Sequence, residues 1–558
     1  MQEEEWQAPG PGTWERDRAH FARTVSRPMI DLIEDAAPAG MREGFDLIGA
    51  PLDTMDVRFV RGQMYRRLVP IIGASGRGPA TPPPPWLMRT VFALHPRLRR
   101  RSKVAEVAIE GKSWNDEADR WEATWKPEIA AANRRLGSVD VGALSDGALA
   151  DHLDELLVHT RDAMALHFRL HISDLGPIAL LLDETEQWGI DGADVMAVLA
   201  GASPATSAPH DALRPLAVEI ERELEPGGSR PATLDEVRGV SDRAARILDD
   251  YLLEFGGRLT TGYDITEFTL GEMPDAIIAM LGDPRLLEER TAADLAISRG
   301  VAAHDELRSR VPHEHRAEFD ELVDDARRLY GLRDENGPIT AEWPCGVLRS
   351  TLLEVGQRLT AAGRLEQVDH VFDLSGVESI GSLRGEPGPH AGAVASRHRT
   401  RLGFADSEAP AHLGPDPVEP DLDGLPDAMG RMMRMSVNAV ALLEAADGMD
   451  VVGEMRGTGI GTTAYVGRAV VVADAEDAIE RCEAGDVLIA RFTAPTFNSI
   501  LGLAGAVVTE HGGLLCHTAV IARELGIAGV VGVAGALSIP DGSQVEVDPV
   551  AGRVTVIG

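Results

Sequence analysis

The segment 509–526, TEHGGLLCHTAVIARELG, restricts the fold of this chain more than any other stretch. It reads as a β-branched strand end, a Gly-Gly turn and then an amphipathic helix from about Thr518 to Leu525. That order places His517 at a helix mouth, where unpaired backbone N–H groups and the positive end of the helix dipole stabilise an anion. Gly512 and Gly513 let the backbone approach that anion closely. A neutral imidazole is a competent nucleophile, and its phosphoramidate is reactive enough to hand a phosphoryl group onward. His517 is therefore the candidate carrier, and Thr509 and Thr518 are candidate hydroxyl donors to the phosphoryl oxygens. Arg523 suits either charge neutralisation or the binding of a docking partner. Two other readings compete: an ordinary turn with an exposed histidine, and a metal site from His511, Cys516 and His517. Adjacent ligands at a helix start rarely converge on one ion, which weakens the latter.

The surroundings of this segment are strand-rich. TTAYVGRAVVV, DVLIARF, AGAVVTE, AGVVGV, SQVEVDP and RVTVIG read as five or six short strands, so 455–558 is expected to be a small α/β domain with one helix. Upstream the apolar spacing is helical, as in LSDGALADHLDELLVHTRDAMALHF after a Ser145 or Asp146 cap. Pro177 should stop or kink a helix, and GASPATSAPHD near position 205 should be a loop. Residues 1–383 thus read as a large, mostly helical body. Residues 384–426, rich in Pro, Gly and acidic side chains, read as a linker, and 427–454 as a helical connector. The expected fold class is α plus α/β.

Composition narrows the partners. A chain of 558 residues needs more than one core. A formal net charge of −35 opposes binding to phosphate backbones and anionic lipid, so neither nucleic acid nor membrane is expected. The three cysteines are widely spaced, the start MQEEEWQAPGPGTWERD has no export signature, and no apolar run is long enough for a bilayer; a reducing cytoplasm is the expected location. His167 and His171 share a helix face beside Asp174, but pocket or core histidines explain that spacing as well as metal ligands do. GTGIG precedes a strand, which argues against a dinucleotide fingerprint.

GGLLCHTAVIARELGI, together with the upstream GDVLIARFTAPTFNSILGLAGAVVTEHGG, resembles the signature of enzymes that use phosphoenolpyruvate or ATP through a mobile phosphohistidine domain. The cysteine before His517 is similar to that of phosphoenolpyruvate synthases, while Thr518 and Ala528 depart from the usual Ala and Pro. GPGTWERDRAHFARTVSRP, RGQMYRRL, FGGRLTTGYDITEFTLGEMP and YGLRDENG resemble the substrate-binding part of the rifampicin phosphotransferase family. The resemblance implies that Gln63 and Arg333 lie near the acceptor and the incoming phosphohistidine, with Arg258 and Asp264 as further polar candidates. An Arg suits developing phosphoryl charge. For Arg258 and Asp264 a buried structural ion pair is the competing explanation. The family's basic residue shortly after Arg333 is missing from DENG.

The three lysines, Lys103, Lys112 and Lys126, lie in one stretch with no Gly-rich loop, so no ATP-grasp domain is expected here, nor a phosphoenolpyruvate barrel after 558. The implied arrangement is a split phosphotransferase. A separate ATP-grasp subunit carrying Mg-ATP charges His517, which passes the phosphoryl group to a hydroxyl-bearing small molecule. No cofactor or metal is expected to bind this chain tightly, although the place of Mg²⁺ stays open. The alternative is a non-catalytic ligand-binding protein whose swivel domain responds to phosphorylation.

Overall fold

The computed structural model describes residues 6–17, 20–21, 23–72, 85–224, 228–404, 409–417, 422–444, 455–493 and 497–557. They fall into two units, one of residues 1–173, 263–267 and 339–434, the other of 174–262, 268–338 and 435–558. No helix among the described residues is long and apolar enough to cross a membrane.

In the first unit the helix Arg27–Ile48 lies along the helix Asp146–Ser173. Their close approach requires glycine. A Cβ on Gly40 would lie 2.0 Å from the Ala165 carbonyl oxygen, and one on Gly44 would lie 2.6 Å from Ile172 Cγ1. The Asp146 helix is capped by Ser145, whose hydroxyl accepts from the Ala148 N–H.

Helices do not account for all of this unit. The strands β1 (Trp14–Arg16), β2 (Leu52–Val60), β3 (Gln63–Pro70) and β4 (His412–Leu413) form an antiparallel sheet in the order β2-β3-β1-β4. Arg61 and Gly62, both at positive φ, make the two-residue turn between β2 and β3.

The linker expected over 384–426 is corrected by the same packing. Residues Ala391–Leu402 are helical, Arg397 and Arg401 tie that helix to Glu378 and Asp373, and β4 pairs with β1. Ion pairs and backbone pairing hold a segment whose low apolar content suggested a tether. The connector holds as a helix over Asp427–Glu444, while 445–454 lie outside the described residues.

The second unit combines helices with an eight-stranded sheet. Its strands are β5 (Met455–Arg456), β6 (Thr458–Ile460), β7 (Tyr465–Val472), β8 (Val487–Ala490), β9 (Ala506–Thr509), β10 (Ala528–Val531), β11 (Gln544–Asp548) and β12 (Arg553–Val556). The order is β5-β12-β11-β7-β8-β9-β10-β6, with β7, β8, β9 and β10 mutually parallel.

Parallel strands covered on both faces are apolar throughout, and β8, β9 and β10 are buried at every position. Leu488, Ala490 and Val507 pack with Ala519 and Ala522 of the helix His517–Leu525. Val487, Ile489 and Val508 pack on the other face with Val545 and Val554.

The six expected strands are present and two short ones join them. The expected single helix is accompanied by Ala475–Arg481, capped by Asp474. Pro177 sits in the first turn of the helix Gly176–Gln187, after the Asp146 helix has ended.

The loop expected near 205 is instead the helix Pro204–Asp211. Pro204 is tolerated in its first turn, and packing against the helix Arg316–Gly337, with Thr206 bonded to Asp334, overrides the interior Pro209.

Gly40→Ala gains up to about 1 kcal/mol of helix propensity. It also forces a methyl group into a backbone oxygen, and overpacking costs about 1–3 kcal/mol. The backbone on both sides is helical and cannot yield locally, so the clash wins, and thermal denaturation should show a lower melting temperature for the variant.

Candidate functional site

The helix His517–Leu525 starts where the parallel strands end. β8 leads into Thr493, β9 terminates at Thr509, and the C-terminal edge of such strands is where open α/β sheets place their ligands. Thr493 Oγ1 lies 2.9 Å from His517 Nδ1 and 2.7 Å from Thr518 Oγ1. If Nδ1–H donates to Thr493 and Thr493 donates to Thr518, the basic lone pair falls on Nε2. The His517 ring is half-buried, and loss of hydration around the imidazolium pushes its pKa down to about 3. The ring is thus neutral at physiological pH, as a nucleophile must be.

The turn before the helix is shaped for close approach. Gly512 has φ +127°, and a Cβ there would meet Cys516 Sγ at 2.7 Å. Cys516 occupies the N-cap position; burial raises its thiol pKa, and the Ala519 and Thr518 amides pull it back. A thiol is a weak cap compared with Ser or Asp, so the helix mouth keeps much of its donor strength for an anion. Thr509 Oγ1 is buried and has no hydrogen-bond partner among the described residues. A buried hydroxyl is normally satisfied, so an orphan beside this turn suits a ligand oxygen.

The other end of the helix His517–Leu525 is anchored to the helical part of the same unit. The Gly201 N–H donates to both Glu524 carboxylate oxygens at 3.0 Å, and Arg299 donates to the carbonyls of Arg523 and Glu524. Arg523 donates to Tyr330 Oη and to the Leu514 carbonyl, so its guanidinium engages the helical part and the preceding turn. Burial pushes Glu524 up to about 7; the Gly201 N–H works against the shift and Asp334 adds to it. Burial likewise raises Asp334 to about 6, against hydrogen bonds from Ser203 and Thr206.

His517, Thr518, Thr509, Gly512 and Gly513 are therefore gathered at one turn, and Thr493 joins them from a segment in which the sequence flagged no site residue. Its only signal was position: a hydroxyl just beyond a parallel strand adjacent to the one that feeds the carrier helix. The remaining candidates each have partners of their own. Arg333 pairs with buried Asp174 at 2.9 Å. Arg258 engages Glu254 and lies over the Phe255 ring. Asp264, in the first unit, accepts from the Ser26 N–H and hydroxyl and from Thr266, and burial raises its pKa. Each of these two therefore has partners of its own, in place of the ion pair considered from the sequence. Gln63, also in the first unit, is buried; its Oε1 accepts from Arg16, and its Nε2 has no hydrogen-bond partner among the described residues. His167 Nδ1 contacts Thr340, and the Nε2 atoms of His167 and His171 lie 3.0 Å apart.

Residues 482–552 match the family model of the PEP-utilising enzyme mobile domain, and residues 173–334 match that of the rifampicin phosphotransferase fourth domain. An uncharacterised protein of Mycobacterium tuberculosis is 33% identical over 38% of this chain and 22% of its own length. Chondramide synthase of Chondromyces crocatus is 26% identical over 98% of this chain and 14% of its own length. Rifampicin phosphotransferase of a Streptomyces species is 43% identical over 19% of this chain and 12% of its own length. The chain thus spans less than a quarter of these relatives.

Because the folded pKa of Glu524 lies above its ordinary value, its contribution to stability is complete below about pH 4.5 and is lost as pH rises through about 7. The full effect is on the order of 3 kcal/mol for this buried group. Glu524→Gln should flatten most of that slope in melting temperatures recorded between pH 4.5 and 8, leaving the part due to Asp334.

Proposed function

We propose that this chain is the carrier and acceptor part of a phosphotransferase, in which His517 is transiently phosphorylated. The observation that carries the reading is the neutral, half-buried imidazole at a helix mouth, held through Nδ1 by Thr493 beside the Gly512 turn. The matches to the mobile domain and to the fourth domain of rifampicin phosphotransferase support it.

In the proposed cycle His517 Nε2 attacks the phosphorus of a nucleotide bound to a separate ATP-grasp subunit. The N–P bond forms as the P–O bond to the nucleotide breaks. Helix-mouth N–H groups and the Thr509 hydroxyl take up the charge on the phosphoryl oxygens. The oxygen of a small-molecule alcohol then attacks the phosphorus and gives up its proton to solvent as the N–P bond breaks and the electron pair returns to Nε2. The Mg²⁺ that such chemistry uses enters with the nucleotide on the partner. Gln63, whose buried amide N–H groups can meet a ligand oxygen, and Arg333 are the acceptor-side candidates. A reducing cytoplasm is the proposed setting.

The test is intact-mass analysis of the purified chain after incubation with ATP, alone and with host-cell extract, beside His517→Ala. One acid-labile phosphate should appear with extract and be absent from the variant. Thr493→Val should lower the rate of labelling by about 10- to 100-fold, the scale of losing one orienting group. Equal labelling of wild type and His517→Ala would sink the carrier assignment.

A further inference from the structure

In the first unit one cluster carries ligand chemistry that phosphoryl transfer leaves unused. Asp369 and His370 lie on the short helix Val368–Asp373, and His398 on the helix Ala391–Leu402 packs against them. One ligand atom from each residue lies within 4.8 Å of the other two. His398 Nε2 is 3.7 Å from an Asp369 carboxylate oxygen. A tetrahedral site with metal–ligand bonds of ~2.1 Å has an edge of ~3.4 Å, so the two atoms already stand close to that spacing.

The orientation of His398 is fixed from behind. Its Nδ1 lies 2.8 Å from Asp373 Oδ2, and Asp373 is buried and also accepts from Arg401 Nε. When Nδ1–H donates to this carboxylate, the Nε2 lone pair faces Asp369. Two acceptors then confront each other, and a cation between them satisfies both.

His370 supplies an independent sign. It is 4% exposed, its ring centroid is 4.7 Å from that of His398, and its Nδ1 is buried without a hydrogen-bond partner among the described residues. Buried polar atoms are normally paired. The Asp369 side chain is 53% exposed, which leaves a path for an ion to enter.

We propose that Asp369, His370 and His398 bind a divalent first-row transition metal, with Asp373 as the outer carboxylate that orients His398. Two imidazoles and one carboxylate favour zinc-like ions over Mg²⁺ or Ca²⁺, which prefer all-oxygen shells. Three protein ligands leave a further position for water. The ion would join the Val368 helix to the Ala391 helix, adding a crosslink to a segment otherwise held by arginine pairs.

The full chain, stripped with chelator and dialysed, is titrated with zinc chloride by calorimetry, and the bound metal is counted by elemental analysis. One zinc per chain is expected, with a rise in melting temperature that chelator reverses. Asp369→Asn and His398→Gln should each weaken binding by more than the ~10- to 100-fold typical of losing an outer carboxylate, while His171→Gln leaves it unchanged. Asp369→Asn alters a half-exposed side chain and so decides the matter even if His398→Gln does not fold. No saturable zinc binding, or binding that survives Asp369→Asn, overturns the proposal.

Discussion

The hydrogen bond between His517 Nδ1 and Thr493 is the contact on which the proposed chemistry depends. An imidazole can accept a phosphoryl group only with a lone pair on the attacking nitrogen, and its other nitrogen must then hold the proton. Thr493 meets that need because β8 and β9 are parallel neighbours whose C-terminal ends open on the same edge. The apolar faces of the sheet, filled by Leu488, Val507 and Ala522 on one side and Ile489 and Val508 on the other, fix that edge rigidly. In the proposed cycle core packing in this domain therefore has a chemical consequence: it holds Thr493 against Nδ1 and leaves Nε2 to react.

The two ends of the helix His517–Leu525 carry opposite chemistry. At the N-terminus a weak thiol cap and glycine leave donors available to an anion. At the C-terminus Arg299 supplies the positive charge that helix carbonyls favour, and Glu524 is buried against a single backbone N–H. A carboxyl raised to about 7 is a soft anchor, because the cost of ionising it in place is comparable to the worth of a few hydrogen bonds.

The legible part of the sequence was the part with short-range causes. Parallel strands buried on both faces read as unbroken Val, Ile and Ala runs, and the Gly-Gly turn before His517 can be read from backbone sterics alone. Thr493 was illegible because its role comes from a neighbouring strand, 24 residues away. The Pro204–Asp211 helix was hidden by its two prolines, since packing and the Thr206–Asp334 bond decide its conformation. The β2–β3 hairpin escaped notice although MDVRFV alternates apolar and polar residues and Arg61-Gly62 carries the turn; only its second strand, QMYRRL, breaks the period-two pattern.

Segment 384–426 shows why composition misleads here. Its Pro, Gly and acidic content describes a chain unable to bury much apolar surface, and that description is correct. Stability in this region comes instead from charge-assisted hydrogen bonds: Arg397 to Glu378, Arg401 to Asp373, and His398 to Asp373. Tyr65 and Arg16 add bonds to the backbone carbonyls of Pro410 and Ala409. Such anchors are placed by partners far off in sequence, so no local window reveals them. A segment fixed at Ala391–Leu402 and again at β4 cannot act as a free tether along its length. The same arginines and histidine that remove its freedom also bring His398 to Asp369 and His370, so the ordering of the segment and the assembly of that cluster are one event.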